Sequence, residues 1–382
     1  MKRFFSYTIL SFFLLLLPTG QASANNNDSI RLSLLTCAPG EEIYSLFGHT
    51  AIRYENPSQG IDVVFNYGLF SFNTPNFIFR FSLGETDYQL GATDYERFAA
   101  EYAFFGRSVW QQTLNLTDEE KTELIRLLQE NYRPENRVYR YNFFYDNCAT
   151  RPRDKIEESI AGKVIYPAEP QDGSLTFRDI VHQYCKGHPW ARFGIDLCIG
   201  SEADQPITQR QMMFAPFYLM DAFDGAQIKS DSIQRPLITA NELVVDATPE
   251  PDESDWMPTP LQCSLLLFIL TAAATIYGIR RRTGLWGIDL FLFGIAGIVG
   301  CVLAFLALFS QHPAVSSNFL LLVFHPGQLL FLPYIIYCVR KGKKCWYLTL
   351  NLAVLTLFIV LFPVIPQRFD FAVVPLALVL LI

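Results

Sequence analysis

Tyr141–Asp154, with the sequence YNFFYDNCATRPRD, places a single cysteine between an aromatic run and the predicted start of a helix. A thiol needs a base to act as a nucleophile, and free amides at a helix start favour its ionised form. The helix is expected to begin either at Asn147, as its cap, or near Pro152, with Cys148 on a tight turn just before it. Both geometries expose Cys148, which we predict to be the nucleophile.

The base predicted for Cys148 is His49, which lies upstream on a segment with strand character, Gly48–Arg53. A histidine on an apolar strand is more often a satisfied core residue, so the interpretation depends on the polar-flanked, exported cysteine. The residue that orients His49 would be polar and would lie on the next strand, which offers Asp62 and Asn66. Asn66 is the preferred candidate because it lies within the distinctive segment Phe65-Asn66-Tyr67-Gly68.

Four cysteines lie outside the apolar C-terminal segments: Cys37, Cys148, Cys185 and Cys198. Because exported thiols are usually paired, we predict a Cys185–Cys198 disulfide. A Cys37–Cys148 bridge is the alternative that would remove the nucleophile. The two residues differ in setting, since Cys37 precedes a turn and Cys148 has polar neighbours. We expect no metal site and no cofactor.

The N-terminus is typical of a secretory signal, predicted at residues 1–24. Lys2 and Arg3 precede an apolar stretch, and Ala22-Ser23-Ala24 is a small-residue cleavage site. A retained membrane anchor is the alternative, and either arrangement exports the residues that follow. The net charge of -7 and the lack of a basic stripe argue against nucleic acid as a partner.

Residues 25–255 have the alternating polarity of an exported domain, and residues 261–382 form the predicted transmembrane domain. Thr117-Asp118-Glu119-Glu120 is a capping box that predicts a helix start. The Pro- and Glu-rich segment 247–260 is typical of a linker. Strand-like runs occur at Ile30–Leu35, Thr50–Tyr54, Asp62–Tyr67 and Val109–Leu116.

Four apolar runs are long enough to cross a membrane: Leu261–Gly278, Trp286–Phe309, Phe319–Val339 and Cys345–Phe362. A fifth, Phe371–Ile382, is too short for a full crossing and is expected to be a half-span or to pack within the bundle. Basic clusters at 280–282 and 340–344 fall on one side, which is therefore cytoplasmic. These patterns predict a multi-pass inner-membrane protein with its catalytic domain in the periplasm.

Substrate contacts are predicted at Arg53, Tyr67, Asn147 and Arg151 in the periplasmic domain. The two arginines could hold a lipid phosphate or only structural carboxylates. His312 and Asn318 are further candidates, because the external loop that contains them should face the catalytic domain.

The order of these features, with histidine on a strand and cysteine later in an Asn-Cys dipeptide, resembles the circularly permuted branch of the NlpC-like papain superfamily. Lecithin:retinol acyltransferase belongs to that branch. The resemblance implies an α+β, permuted papain-like periplasmic domain, followed here by a helical transmembrane bundle of four to five spans.

A closer resemblance covers nearly the whole chain. Thr36–Gly40, Leu46–Arg53, Phe65–Gly68, Pro75–Phe77 and Asp146–Asp154 are similar to segments of the Lnb family of Bacteroidota. That family joins a periplasmic domain to membrane spans and acts as a lipoprotein N-acyltransferase. The resemblance implies that Cys148 accepts an acyl chain from a phospholipid, that His49 is its base, and that a diacylated lipoprotein is the acceptor.

Two other functions stay open from the sequence. A cysteine peptidase or amidase acting on peptidoglycan would need an open polar groove and no multispan domain. A non-catalytic membrane adaptor would have all its exported cysteines bridged.

Overall fold

The computed structural model describes residues 30–73, 75–167, 175–230, 234–247 and 257–382. The predicted signal peptide and residues 248–256 of the predicted linker lie outside the described residues. What is described consists of an α+β domain followed by a helical membrane region.

A seven-stranded antiparallel sheet organises the first domain. Its strands in chain order are β1 Arg31–Cys37, β2 His49–Asn56, β3 Ile61–Leu69, β4 Asp87–Asp94, β5 Val109–Leu114, β6 Val138–Arg140 and β10 Ile238–Val245. In space they run β10-β5-β1-β2-β3-β4-β6. A smaller sheet contains β7 Lys163–Ile165, β8 Gln227–Lys229 and β9 Gln234–Pro236. The four predicted strands are confirmed as β1, β2, β3 and β5, with ends shifted by one or two residues.

Both faces of this sheet are covered, because successive side chains of each strand point to opposite faces. Leu34 and Ile52 pack on one face. Leu35 and Ala51 are their neighbours along the same two strands, and they pack on the other face with Phe98. The two cores hold β2 and β3 rigidly between neighbouring strands.

Eight helices of this domain lie in the described residues: α1 Phe77–Leu83, α2 Tyr95–Phe104, α3 Asp118–Tyr132, α4 Thr150–Ser159, α5 Phe177–Tyr184, α6 Pro189–Cys198, α7 Gln209–Met212 and α8 Pro216–Asp224. The capping box predicted at the start of α3 is confirmed. Glu120 donates its backbone N–H to Thr117 Oγ1 at 3.3 Å, and the Thr117 N–H donates to Glu120 Oε2 at 2.8 Å.

The membrane region contains α9 Pro260–Arg281, α10 Trp286–Phe309, α11 Pro326–Leu330, α12 Leu332–Lys341, α13 Trp346–Leu361 and α14 Val373–Leu381. In the described chain, α9 and α10 are long and apolar enough to span a membrane, and the α11–α12 segment makes a third if its two parts are one span. Four to five spans are therefore not confirmed. The short last helix packs inside the bundle, with Val373, Ala377 and Leu380 buried.

The third apolar run is broken into two helical parts, Phe319–Leu330 and Leu332–Lys341, which meet at a bend of 72°. The bend falls at Phe331, and Pro333 in the first turn of α12 has no backbone N–H to donate to the preceding helix. Within the first part, His325 is extended just before Pro326. The broken segment packs closely on α10, since a Cβ on Gly300 would lie 2.4 Å from the His325 backbone nitrogen. Glycines at such contacts let membrane-embedded backbones approach each other.

The two regions are joined by a continuous polar contact, which we call the domain joint. Gly200 donates its N–H to Ala314 O at 2.6 Å, and Ser201 donates to Ser317 O at 2.9 Å. Arg368 of the membrane region pairs with Asp204 at 2.9 Å and with Asp179 at 2.6 Å. The loops on the periplasmic side of the bundle therefore hold the region around α5 and α6.

The predicted Cys185–Cys198 disulfide is wrong, because both cysteines are free. Cys185 caps the end of α5, and Cys198 is the last residue of α6. A ten-residue helix separates them along the chain, and such a helix extends roughly 15 Å, well beyond the reach of about 7 Å between Cα atoms that a disulfide allows.

Candidate active site

The candidate site lies at the end of β2 and β3, where the two strands stop pairing. His49 is the first residue of β2, and the β2–β3 ladder ends at Ala51 and Asn66. Gly48 precedes it with a φ of +78°, and a Cβ there would lie 2.5 Å from the Cys37 carbonyl oxygen. Only glycine fits this turn into the strand. A second glycine, Gly68, has a φ of +87°. A Cβ at this position would lie 3.5 Å from the Cβ of Cys148, so β3 passes close to that residue.

Of the two residues predicted to orient His49, Asn66 contacts the ring. His49 Nε2 lies 3.3 Å from Asn66 Oδ1. Asn66 donates its own amide N–H to the Val64 carbonyl at 3.5 Å, so Oδ1 faces the ring. An amide oxygen only accepts, so the neutral ring carries its proton on Nε2 and its lone pair on Nδ1. Nδ1 is then the nitrogen able to take a proton.

The Cys148 sulfur lies at the same strand end as His49. The backbone amide of Thr50, which directly follows His49, and the amide of Cys148 itself lower the pKa of this thiol, as does the Tyr141 hydroxyl, so all three lie close to the sulfur. Cys148 and Cys37 are both free, so the bridge that would remove the nucleophile does not form.

Asn147 builds the turn that presents Cys148. Its Oδ1 accepts the N–H groups of Ala149 at 2.8 Å and Thr150 at 2.9 Å. Its Nδ2 donates to the carbonyls of Phe143 and Phe214, both at 2.8 Å. Cys148 therefore sits on a tight turn just before α4, the second of the two predicted geometries.

Asn147 is buried and fully hydrogen-bonded within the protein, and it positions the turn. Its contact with substrate stays a prediction. The amides of Ala149 and Thr150 already donate to Asn147 Oδ1, so they are not free to hold an oxyanion. The amides of Thr50 and Cys148 are the ones that lower the pKa of the thiol and lie close to the sulfur.

Burial keeps both reacting groups neutral at rest. It raises the pKa of Cys148 from 9.0 to about 11, although the Thr50 amide opposes the shift. Burial also lowers the pKa of His49 from 6.5 to about 4, opposed by the Asn66 hydrogen bond. The resting pair is thus a thiol and a neutral imidazole, so the proton must move as the sulfur attacks.

These directions predict a steep pH dependence for Cys148 alkylation by iodoacetamide. Only the thiolate reacts, and the raised pKa leaves it scarce at pH 7. We expect the rate to rise about tenfold per pH unit between pH 7 and 10. Mass spectrometry of the Cys148 peptide would measure it in the intact protein. A rate that is already level at pH 6 would contradict a neutral pair.

The structure shows what the two arginines predicted as substrate contacts bind within the protein, and their contact with substrate stays a prediction. Arg53 pairs with Asp62 through two hydrogen bonds of 2.9 and 2.6 Å and donates to Gln111 at 2.7 Å. Arg151 pairs with Asp146 at 2.6 and 2.7 Å and stacks over the Tyr139 ring. Both guanidinium groups serve structural carboxylates, the alternative left open by the sequence.

Three more predicted substrate residues are occupied elsewhere. The Tyr67 hydroxyl donates to Asn131 at 2.8 Å, and its side chain is fully buried. His312 bonds the Phe81 carbonyl through Nε2. Asn318 donates to the Leu197 carbonyl at 2.7 Å within the domain joint. The loop that contains the last two does face the periplasmic domain, but it fastens that domain to the bundle.

Two groups at the sulfur were not predicted, Tyr141 and the Thr50 amide. Tyr141 was visible as part of the aromatic run before Cys148, and its spacing of seven residues indicated no contact. Burial raises the pKa of its hydroxyl well above the usual value, so Tyr141 keeps its proton beside Cys148. The sequence alone cannot show which backbone amide will lie close to the sulfur.

The fold and the site together define a class: a membrane-anchored protein with a periplasmic α+β domain and a half-buried thiol at the strand end that presents a His–Asn pair. Comparison with known families agrees with this class. Residues 20–182 match the Lnb N-terminal periplasmic domain, and residues 252–382 match the Lnb transmembrane domain.

The chain belongs to the Lnb family, and it is an inner-membrane protein with a periplasmic domain. Membership points to an enzyme of the acyltransferase class. No curated protein and no solved structure matches the chain.

Proposed function

We propose that this protein is a lipoprotein N-acyltransferase that moves an acyl chain from a phospholipid to the N-terminal amine of a diacylated lipoprotein. The observation that carries the proposal is the unbridged Cys148 thiol at the strand end that also presents His49 and Asn66. Family membership supports the reaction class.

In the first half-reaction, His49 Nδ1 takes the thiol proton as the sulfur attacks the ester carbonyl carbon. The tetrahedral oxyanion forms next to the sulfur, where the Thr50 and Cys148 amides can donate hydrogen bonds to it. Collapse breaks the carbon–oxygen bond, and the imidazolium returns the proton to the departing lysophospholipid oxygen. The product on the protein is a thioester at Cys148.

In the second half-reaction, the lipoprotein amine attacks the thioester carbonyl and gives its proton to His49. The thiolate leaves and recovers that proton, so the resting pair is restored. An α-amine has an unperturbed pKa near about 8, so part of it is neutral at physiological pH. A site that excludes water suppresses the competing hydrolysis.

The domain joint supports a reaction at the membrane surface. Backbone hydrogen bonds and the Arg368 ion pairs fix the periplasmic domain against the ends of the spans. Both substrates of the proposed reaction are embedded in that membrane. A peptidoglycan peptidase would gain nothing from such a rigid attachment to a multispan bundle.

The proposal predicts an acyl-enzyme on Cys148. Full-length protein in phosphatidylethanolamine nanodiscs should gain the mass of one acyl chain, which hydroxylamine removes and which a diacylated lipopeptide takes up. Intact-mass and peptide mass spectrometry measure all three steps. Hydrolysis of muropeptides with no adduct at Cys148 would favour the peptidase and refute the transferase.

A further inference from the structure

Helix α1 presents an apolar face that no other part of the described protein covers. Ile78 is 79% exposed and Phe79 is 58% exposed, and none of the seven residues of α1 is buried. Its one charged residue, Arg80, turns toward the domain and pairs with Asp87 at 2.7 Å. An exposed patch of this kind marks a surface that meets a membrane or a partner.

The position of α1 identifies the membrane as what covers it. The Phe79 ring lies 5.9 Å from the ring of Phe305 in α10. The Leu83 carbonyl accepts the N–H of Gln311, two residues beyond the end of α10, at 2.9 Å. Helix α1 therefore lies beside the last turns of a membrane span, at the level of the outer leaflet. Its apolar face continues the lipid-facing surface of that span.

A row of aromatic rings leads from α1 to the candidate nucleophile. We call it the ring row; its members are Phe81, Phe77, Phe70, Tyr88 and Tyr141. Neighbouring centroids in that order are 6.0, 5.7, 5.1 and 4.3 Å apart. Tyr141 ends the row next to Cys148, since a Cβ on Gly68 would lie 3.5 Å from both side chains. Phe81 is 45% exposed and Tyr88 is 7% exposed, so the row runs from the surface inward.

We propose that α1 dips into the outer leaflet and that the ring row is the track along which the acyl chain of the donor phospholipid reaches Cys148. The inference rests on the proposed function, since it takes Cys148 as the acyl acceptor. It commits to the donor because the chain being transferred must have its carbonyl at the sulfur and its apolar tail leading away from it. The acceptor lipoprotein brings only a polar amine to that atom.

Photo-crosslinking tests the track without relying on turnover. The probe is phosphatidylethanolamine with a diazirine near the ester end of one acyl chain, in nanodiscs that hold the full chain as its Cys148→Ala variant. We expect label on the ring row, mapped by peptide mass spectrometry. Phe77→Ser should lower labelling of the inner members of the row, Tyr88 and Tyr141, about tenfold, since it removes an aromatic contact in the middle of the track.

Matched variants keep this test decisive. Phe105→Ser removes a 62% exposed phenylalanine that lies just beyond the end of α2 and has its ring contact with Phe104, outside the row. It should leave labelling unchanged. Phe77→Leu should retain most of it. Phe81→Ser, at the exposed outer end, gives the same test if Phe77→Ser fails to fold.

The outcomes separate the track from the reaction. Label on the ring row in Cys148→Ala protein, with no acyl adduct in the wild type, would keep the track and overturn the proposed transferase. An acyl adduct on wild-type Cys148, with label confined to α9 and α10, would keep the transferase and overturn the track. Equal labelling in Phe77→Ser, Phe81→Ser and wild-type backgrounds would also overturn it.

Discussion

Cys148→Ser is expected to lower the rate of acyl transfer by on the order of 10⁴-fold or more, because a hydroxyl beside a neutral imidazole is a far weaker nucleophile than the thiol. His49→Gln should cost a similar factor, since no other base reaches the sulfur in the proposed mechanism. The double variant should be little worse than either single one, as residues that act as a unit are not additive. Acyl number of a reporter lipoprotein, followed by mass spectrometry, measures all three.

A matched control is available in Cys198→Ser. Cys198 is also unbridged and lies in the same periplasmic domain, at the end of α6. The Cys198→Ser variant should transfer acyl chains at the wild-type rate. The acylation rate of Asn66→Ala should fall between the rates of Cys148→Ser and Cys198→Ser. The substitution removes the contact that orients the His49 ring but leaves both reacting atoms in place. Full activity of Cys148→Ser would exclude the thioester route, and equal loss in Cys198→Ser would indicate general damage to the fold.

Arg178→Met is expected to cause the largest loss of stability, about 3–5 kcal/mol in the free energy of unfolding. Arg178 is fully buried and pairs with Asp196 at 2.6 Å and Asp204 at 2.9 Å. It also donates to the carbonyls of Ile199 and Gly200. Methionine would fill the space but remove the guanidinium that two buried carboxylates share, leaving Asp196 with only His182 and Asp204 with only Arg368. Chemical unfolding of the detergent-solubilised full chain measures the change.

The comparison for this variant is Arg210→Met. Arg210 also pairs with two carboxylates, Asp154 and Glu157, but its side chain is 52% exposed. Its loss should cost less than about 1 kcal/mol, as water screens exposed pairs. Arg178→Lys should not restore stability, because one ammonium cannot replace a fork that reaches four partners. Equal effects of Arg178→Met and Arg210→Met would contradict the role assigned to the buried network.

The sequence was sufficient for features that depend on local signals. The capping box at Thr117 and the alternation in β1, β2, β3 and β5 are short-range patterns, and the structure confirms them. The basic residues that flank the apolar runs and the Asn-Cys dipeptide likewise carry their information within a few residues. Family resemblance then extended these signals to the whole chain, and the family matches bear it out.

Features that depend on distant partners could not be predicted in the same way. The sequence does not show that Asp62 returns opposite β2 to meet Arg53, or that Asp146 lies across one turn from Arg151. The spacing of Cys185 and Cys198 suggested a disulfide, but spacing alone does not show that a helix lies between them. The third apolar run contains two prolines, Pro326 and Pro333, and its sequence does not show that the 72° bend falls just before the second.

The contact between α1 and α10 has a consequence for the bilayer itself. Helix α10 has 24 residues, which gives it a length of roughly 36 Å, somewhat more than the ~30 Å of an average hydrocarbon layer. Because α1 and Gln311 lie at the periplasmic end of α10, the length of that helix sets the height of the Cys148 sulfur above the midplane of the bilayer. In the proposed reaction, a thicker or thinner bilayer would raise or lower the lipid ester relative to the thiol. We therefore expect acyl transfer in nanodiscs to depend on the hydrophobic thickness of the lipid.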